Sequence, residues 1–487
     1  MLGNLRKTRE RLADKLICTM NFVRKRLILV PASVFFLSIG LAVTGCSSAS
    51  KSHNTSSSPP AGASTTSGTS LVGTFKVQRF GLENGLRILI VEDHSSPTFA
   101  YHTWFRVGSR DEEPGRTGLA HLFEHLMFKG TETLPEGQFD KILESAGAEG
   151  ENAFTSRDYT AYIQEMPKDK LDLIAKLESD RMVHLVVNDQ SFKTEREVVQ
   201  NERRYRVENS PEGQMYQELF GIAFTQHPYH WPVIGYQEDL DRMTSEDAKK
   251  FYKSYYSPNH ATLVIVGDVN PTEVMTVLRK YYGPIASAES PTHVILPEPP
   301  QTAPRRKILK LNVQVEKIII GFHIPPETAG DAPAIVALQT ILAQGKSSRL
   351  HRALVETGIA TGVEAYDLDD KDPSLFLVGV NLQKKRKSAE AESVVLREIA
   401  QVIKTPISAA ELERARNQMS FTFYESLSSD SEKANFLGRF EAISPNGFET
   451  GLNIHRKALE VTPAQIQAVA KKYLDPKTRS IVVGVPK

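Results

Sequence analysis

Short apolar runs at strand spacing punctuate the first half of the chain. Phe75 to Leu82 and Leu86 to Val91 read as strands around Asn84-Gly85, a dipeptide that favours a tight hairpin turn. Phe99 to Val107 reads as another strand, and so does Tyr159 to Met166, closed by Pro167. From Leu171 to Leu185 the spacing changes: Leu171, Ile174, Leu177, Met182 and Leu185 recur as the inward face of an amphipathic helix. Phe192 to Tyr205 reads as a more charged helix.

The pattern repeats. Thr244 through Tyr255-Tyr256-Ser257-Pro258 to LVIVGDV matches Thr462 through Tyr473-Leu474-Asp475-Pro476 to IVVGV, each position 218 residues from its counterpart. Both copies read helix, turn, β-branched strand, so a duplicated α+β unit is expected. Between them, residues 284–306 carry six prolines and read as an extended inter-domain linker. Two α/β units follow from this, residues 73–283 and 307–487.

His121-Leu122-Phe123-Glu124-His125 puts two imidazoles one helical turn apart with a carboxylate beside them. The flanks suit a buried helix, with Thr117 as the expected N-cap, Leu119, Leu122, Phe123, Leu126 and Met127 apolar, and Gly130 to end it. H-x-x-E-H is a zinc-peptidase pattern, and catalytic zinc commonly takes three protein ligands, so a third should come from another element. The charged helix offers Glu195 and Glu202, two turns apart on one face. His227 and His230 in QHPYHWP are flanked by prolines and read as loop or structural residues instead.

HLFEH, followed by ERxVVxxE with its last Glu 77 positions beyond His125, resembles the pitrilysin/insulinase zinc peptidases. The likeness extends through GLAHLFEHLMFKGT, ENAFTSRDYTAYIQEMP, SPEG and HPYHWPVIG and covers nearly everything from Phe75 onward. It implies two similar α/β sandwich domains, with one Zn2+ per chain held by His121, His125 and Glu202 in the first domain only. It makes Glu124 the general base, which takes a proton from water and passes it to the leaving amine, and Glu195 a supporting catalytic carboxylate. Asn152 and Ala153 would lie on a substrate-side strand whose edge accepts an extended peptide, and Phe128 would line the pocket beyond the scissile bond; equally, Phe128 suits helix packing. Active single-chain relatives, and one subunit of two-chain ones, carry an Arg and a Tyr seven residues apart after the first helix of a later domain. In SSRLHRALVETGIATGV the corresponding places hold Leu354 and Thr361, and neither Arg349 nor Arg352 has a Tyr at that distance. The resemblance therefore implies a heterodimer with a zinc-less homologous subunit.

Composition alters the picture at the N-terminus. The chain has 487 residues and a formal net charge of +1, but residues 1–45 are strongly basic, so the remainder is mildly acidic and no nucleic-acid partner is expected. Arg24-Lys25-Arg26 precede an apolar run to Ala42 that is shorter than a spanning helix needs, as in an export signal, with Met20 a candidate start. Val43-Thr44-Gly45-Cys46 resembles a bacterial lipobox, which implies acylation of Cys46 and a membrane anchor facing the periplasm. Ser47 after the cysteine favours the outer membrane. Residues 46–72, rich in Ser, Thr, Ala and Gly, read as a flexible tether. The two cysteines, Cys18 and Cys46, leave no pair for a structural disulfide in the mature chain and no cysteine nucleophile. The expected function is zinc-dependent hydrolysis of unfolded or short peptides. The alternatives are a non-catalytic assembly subunit of the same fold and a maturation peptidase for one small precursor peptide.

Overall fold

The computed structural model describes residues 66–71, 75–289, 291, 294–368 and 370–487. The export signal, Met20 and Cys46 lie outside the described residues. β1 (Thr66–Leu71), β2 (Phe75–Gly81), β3 (Arg87–Glu92), β4 (Thr98–Phe105), β5 (Glu149–Thr155), β6 (Thr160–Pro167) and β7 (Ala261–Gly267) form a seven-stranded sheet in the order β1-β2-β3-β7-β4-β6-β5. β8 (Arg305–Leu311), β9 (Lys317–Ile324), β10 (Ala360–Tyr366), β11 (Ser374–Leu382) and β12 (Arg479–Pro486) form a second sheet in the order β10-β11-β9-β12-β8.

The two sheets are copies. β3 runs parallel to β7 as β8 runs parallel to β12, and every other shared neighbour is antiparallel in both. The sequence offset is kept: the Ser245–Tyr255 helix, Pro258–His260 turn and β7 match the Pro463–Tyr473 helix, Pro476–Thr478 turn and β12. Both helices open on a capping box, Thr244 with Asp247 and Thr462 with Gln465, which satisfies otherwise orphaned N–H groups.

Alternation along each strand feeds two cores. On β4, Phe99, Tyr101 and Phe105 face one apolar cluster while Ala100 and Trp104 face another. The first cluster is closed by helices of the same half. The second is closed by the Asp430–Ile443 helix of the other half, through Ala434, Leu437, Phe440 and Ile443. The exchange is mutual, because Met215, Leu219, Phe220 and Ala223 of the Pro211–Ala223 helix cover Ile319, Leu375, Leu377 and Val482 of the second sheet.

Two boundaries differ from the sequence reading. Residues 66–71, placed in the tether, pair with β2 as an edge strand, since a sheet edge offers backbone partners whatever the side chains. β8 begins at Arg305, inside the expected linker, because its backbone pairs with β12. The rest of that linker is pinned at two points: Glu298 accepts hydrogen bonds from the backbone of Thr225, Gln226 and His227, and the Gln301 amide donates to the Arg479 carbonyl.

Candidate metal centre

The histidine helix spans Leu119–Leu126 and buries Leu119, Leu122, Phe123 and Leu126 against the first sheet. Its N-cap is Gly118, in the left-handed region at φ 92°, and not Thr117. Glu112 replaces the expected side-chain cap, its carboxylate accepting from the N–H of Gly118 (2.9 Å) and of Ala120 (2.8 Å). Burial pushes Glu112 well above the ordinary carboxylate range, against the pull of these two N–H groups. Thr117 is held instead by Asp239, Oγ1 to Oδ2 at 2.6 Å. Gly118 is also a close approach, because a Cβ there would sit 2.6 Å from the Ile234 carbonyl oxygen. Gly130, at φ 100°, lies beyond the helix end in the following turn.

The second element is the Asp189–Arg203 helix, started by a capping box between Asn188 and Ser191. It runs directly into one π-helical turn, Arg204–Glu208. Glu195 and Glu202 project from it toward the histidines. Glu202 Oε2 lies 3.3 Å from His125 Nε2 and 3.8 Å from His121 Nε2. The candidate ligand atoms of His121, His125 and Glu202 all lie within 4.8 Å of one another, and among the described residues this is the only such group. Two donors about 2.0–2.1 Å from one tetrahedral centre lie about 3.4 Å apart, so the donor set and its spacing fit zinc.

Supporting contacts surround the three. Glu195, buried, brings Oε2 to 3.3 Å from His125 Nδ1 and Oε1 to 2.6 Å from Lys129 Nζ. Arg206, on the π-helical turn, holds the other oxygen of Glu202 at 2.7 Å. His121 Nδ1 is buried and makes no hydrogen bond to protein, and the ring packs edge-on against His125. Burial works against a charge on His125, but hydrogen bonding to Glu195 and Glu202 outweighs it and lifts the ring to about 10. Burial likewise opposes the charge on Glu202, and the bond to His125 with the nearby His121 and Arg206 overcomes it, holding the carboxylate near about 2. Burial lowers His121, against the pull of Glu202 and Glu124. The carboxylates that raise His125 make the pocket attractive to positive charge, so a divalent cation binding there displaces a proton from His125.

Glu124 points to the same place, and its Oε2 accepts a 2.6 Å hydrogen bond from Thr155 Oγ1 at the end of β5. Asn152 and Ala153 lie on β5, paired with Ile163 and Tyr162 of β6, and β5 is the last strand of its sheet. Phe128 is partly buried and packs on Phe139 and Tyr162 against the core, with the Arg181 guanidinium over its ring. His227 and His230 stand apart from the centre: His227 Nδ1 caps the Tyr229 N–H and its Nε2 lies 3.1 Å from Asp372. Lys129, Arg206 and Thr155 were not picked out from sequence. Lys129, four residues after His125, and Arg206, four after Glu202, carried a helical-spacing signal; Thr155 carried none.

The arrangement is a His–His–Glu group at metal-ligand spacing on a duplicated α+β frame. Residues 87–236 match the family described as insulinase, peptidase family M16, and residues 242–419 match the peptidase M16 inactive domain. The zinc protease PqqE of Helicobacter pylori is 32% identical over 400 residues, 80% of this chain and 89% of that protein. A probable mitochondrial-processing peptidase subunit beta from Arabidopsis thaliana is 24% identical over 404 residues, 81% of this chain and 75% of that one. The crystal structure of a protease from Helicobacter pylori superposes with a TM-score of 0.81 at 30% identity, covering 85% of this chain and all of that one. The chain belongs to peptidase family M16, whose members among these relatives include proteins named as zinc proteases. The inactive-domain match begins beyond Glu202, so the group of His121, His125 and Glu202 lies wholly within the first match.

Proposed function

We propose that the chain is a zinc endopeptidase subunit that cleaves unfolded or short peptides. One observation carries the proposal: His121, His125 and Glu202 converge at ligand spacing with the Glu124 carboxylate beside them. Zinc bound there would polarise the scissile carbonyl and bring the pKa of a coordinated water to roughly 7. Glu124 takes the proton from the attacking water and returns it to the leaving amine. Glu195 fixes the His125 ring through Nδ1, and Arg206 fixes the Glu202 carboxylate through Oε1. An extended peptide adds to the outer edge of β5 past Asn152 and Ala153, using main-chain hydrogen bonds that carry little sequence preference.

A zinc-less homologous partner completes the enzyme in this reading. Leu354, fully buried in the second core, and Thr361, bonded through Oγ1 to the Asn381 carbonyl, stand at the places that the resemblance gives to an Arg and a Tyr, and Arg349 is engaged by Glu411. One relative is itself named as a subunit. Location is proposed from sequence alone, an exported chain tethered through Cys46 and facing the periplasm; no described helix is long and apolar enough to cross a membrane. The test is Glu124→Gln, assayed with and without the candidate partner. Turnover should fall roughly 10²- to 10⁴-fold while zinc content is unchanged. Cleavage at the wild-type rate by zinc-loaded E124Q refutes the reading.

A further inference from the structure

Thr155 ends β5, and its hydroxyl donates to Oε2 of Glu124 at 2.6 Å, with the Thr160 hydroxyl 3.4 Å behind it. That is the one hydrogen bond Glu124 makes through its side chain among the described residues, so Oε1 is left without a protein donor. We propose that Thr155 is a positioning residue for Glu124: it holds Oε2 so that Oε1 is the oxygen presented to the proton in transit. The proposal rests on the peptidase reading above.

Three features support it. A glutamate on a helix has three rotatable side-chain bonds, and fixing it by a charge-assisted hydrogen bond removes most of that freedom. The donor must itself be fixed, and Thr155 is. Its backbone pairs with Thr160, whose hydroxyl donates to the Val107 carbonyl at 3.0 Å. The turn that follows is pinned from both halves of the chain: Ser109 N–H donates to the Ser156 carbonyl and Arg110 N–H to the Arg157 carbonyl, while Asp158 accepts from the Tyr229 hydroxyl (2.8 Å) and from the Lys371 N–H (2.9 Å). Gly108 lies so near that a Cβ would meet the Arg157 carbonyl oxygen at 2.4 Å. Finally, a β-branched strand residue needs no hydroxyl to fill this place, since Val has the same shape and favours strands. The hydroxyl is therefore explained by its acceptor. Through the Lys371 N–H, Asp158 and the turn, the second half also helps to fix the donor.

The experiment compares Thr155→Val, Thr155→Ser and Glu124→Gln with the wild-type full chain, zinc-loaded and assayed with its partner where one is needed. T155V should lose roughly 10- to 100-fold in kcat with KM within about threefold, and T155S should recover most of it. Zinc affinity by chelator competition, and peptide affinity of the metal-free protein by fluorescence anisotropy, should stay within about twofold for T155V. The proposal is overturned if T155V keeps its kcat, if its loss lies in KM or in zinc affinity, or if T155S is as impaired as T155V. Active T155V beside inactive E124Q refutes only the role of Thr155. Active E124Q, or a wild-type chain without turnover alone and with its partner, refutes the peptidase reading beneath it.

Discussion

Glu195 should control zinc affinity without touching zinc. Its carboxylate spans two groups, with His125 Nδ1 at 3.3 Å and Lys129 Nζ at 2.6 Å, and only 8% of its side chain is exposed. Glu195→Ala removes the acceptor that sets which nitrogen of His125 carries the proton and which faces Glu202. It also leaves Lys129 with Glu136 as its remaining carboxylate, at 2.9 Å and on the exposed side. A hydrogen bond to a charged group is worth about 1.5–3 kcal/mol net. Here that energy is felt as ring orientation and basicity, so affinity should fall roughly 10- to 100-fold, or about 1.4–2.8 kcal/mol. Glu195→Gln keeps an acceptor but not the charge and should fall between Ala and wild type. The assay is zinc competition against a chromophoric chelator at fixed pH, with Glu246→Ala as a control, since the Glu246–Lys249 pair is exposed and should contribute little. A zinc affinity for E195A within about twofold of wild type would refute this reasoning, because orientation through Nδ1 would then carry no energy.

Gly438→Ala should destabilise the protein, since a Cβ there would lie 2.2 Å from the Trp104 ring. Overpacking costs about 1–3 kcal/mol, more than the about 1 kcal/mol gained in helix propensity; urea denaturation giving an equally stable variant would contradict it. Asp372 joins the halves through Arg110 (2.7 Å) and His227 (3.1 Å). Burial opposes its charge, but those two partners prevail and hold it at about 2, below the ordinary 3.8. Its folded pKa is depressed, so its stabilisation is complete above about pH 4 and is lost as pH falls through about 2. Asp372→Asn should cost about 2 kcal/mol near neutrality, a gap that closes on acidification; a gap in Tm that is constant across that range would refute the assignment.

Much of the centre was readable in the linear chain because helices translate spacing into direction. His121 and His125 sit one turn apart and Glu195 and Glu202 two turns apart, so each pair had to share a face before any fold was known. The duplication was readable for a similar reason, as both copies need the same capped helix, turn and buried strand. Boundaries were less so: pairing with β2 drew residues 66–71 into the sheet, and Glu112, five residues earlier, took the capping task that local sequence gave to Thr117. Thr155 carried no signal at all, because a threonine ending a strand is ordinary, and its meaning comes from Glu124, 31 residues earlier. The exchange of covering helices between the halves was equally hidden. An amphipathic stripe states that a face must be buried and is silent on which sheet will bury it; that choice is made by complementary shape across the whole fold, as where Gly438 leaves room for Trp104.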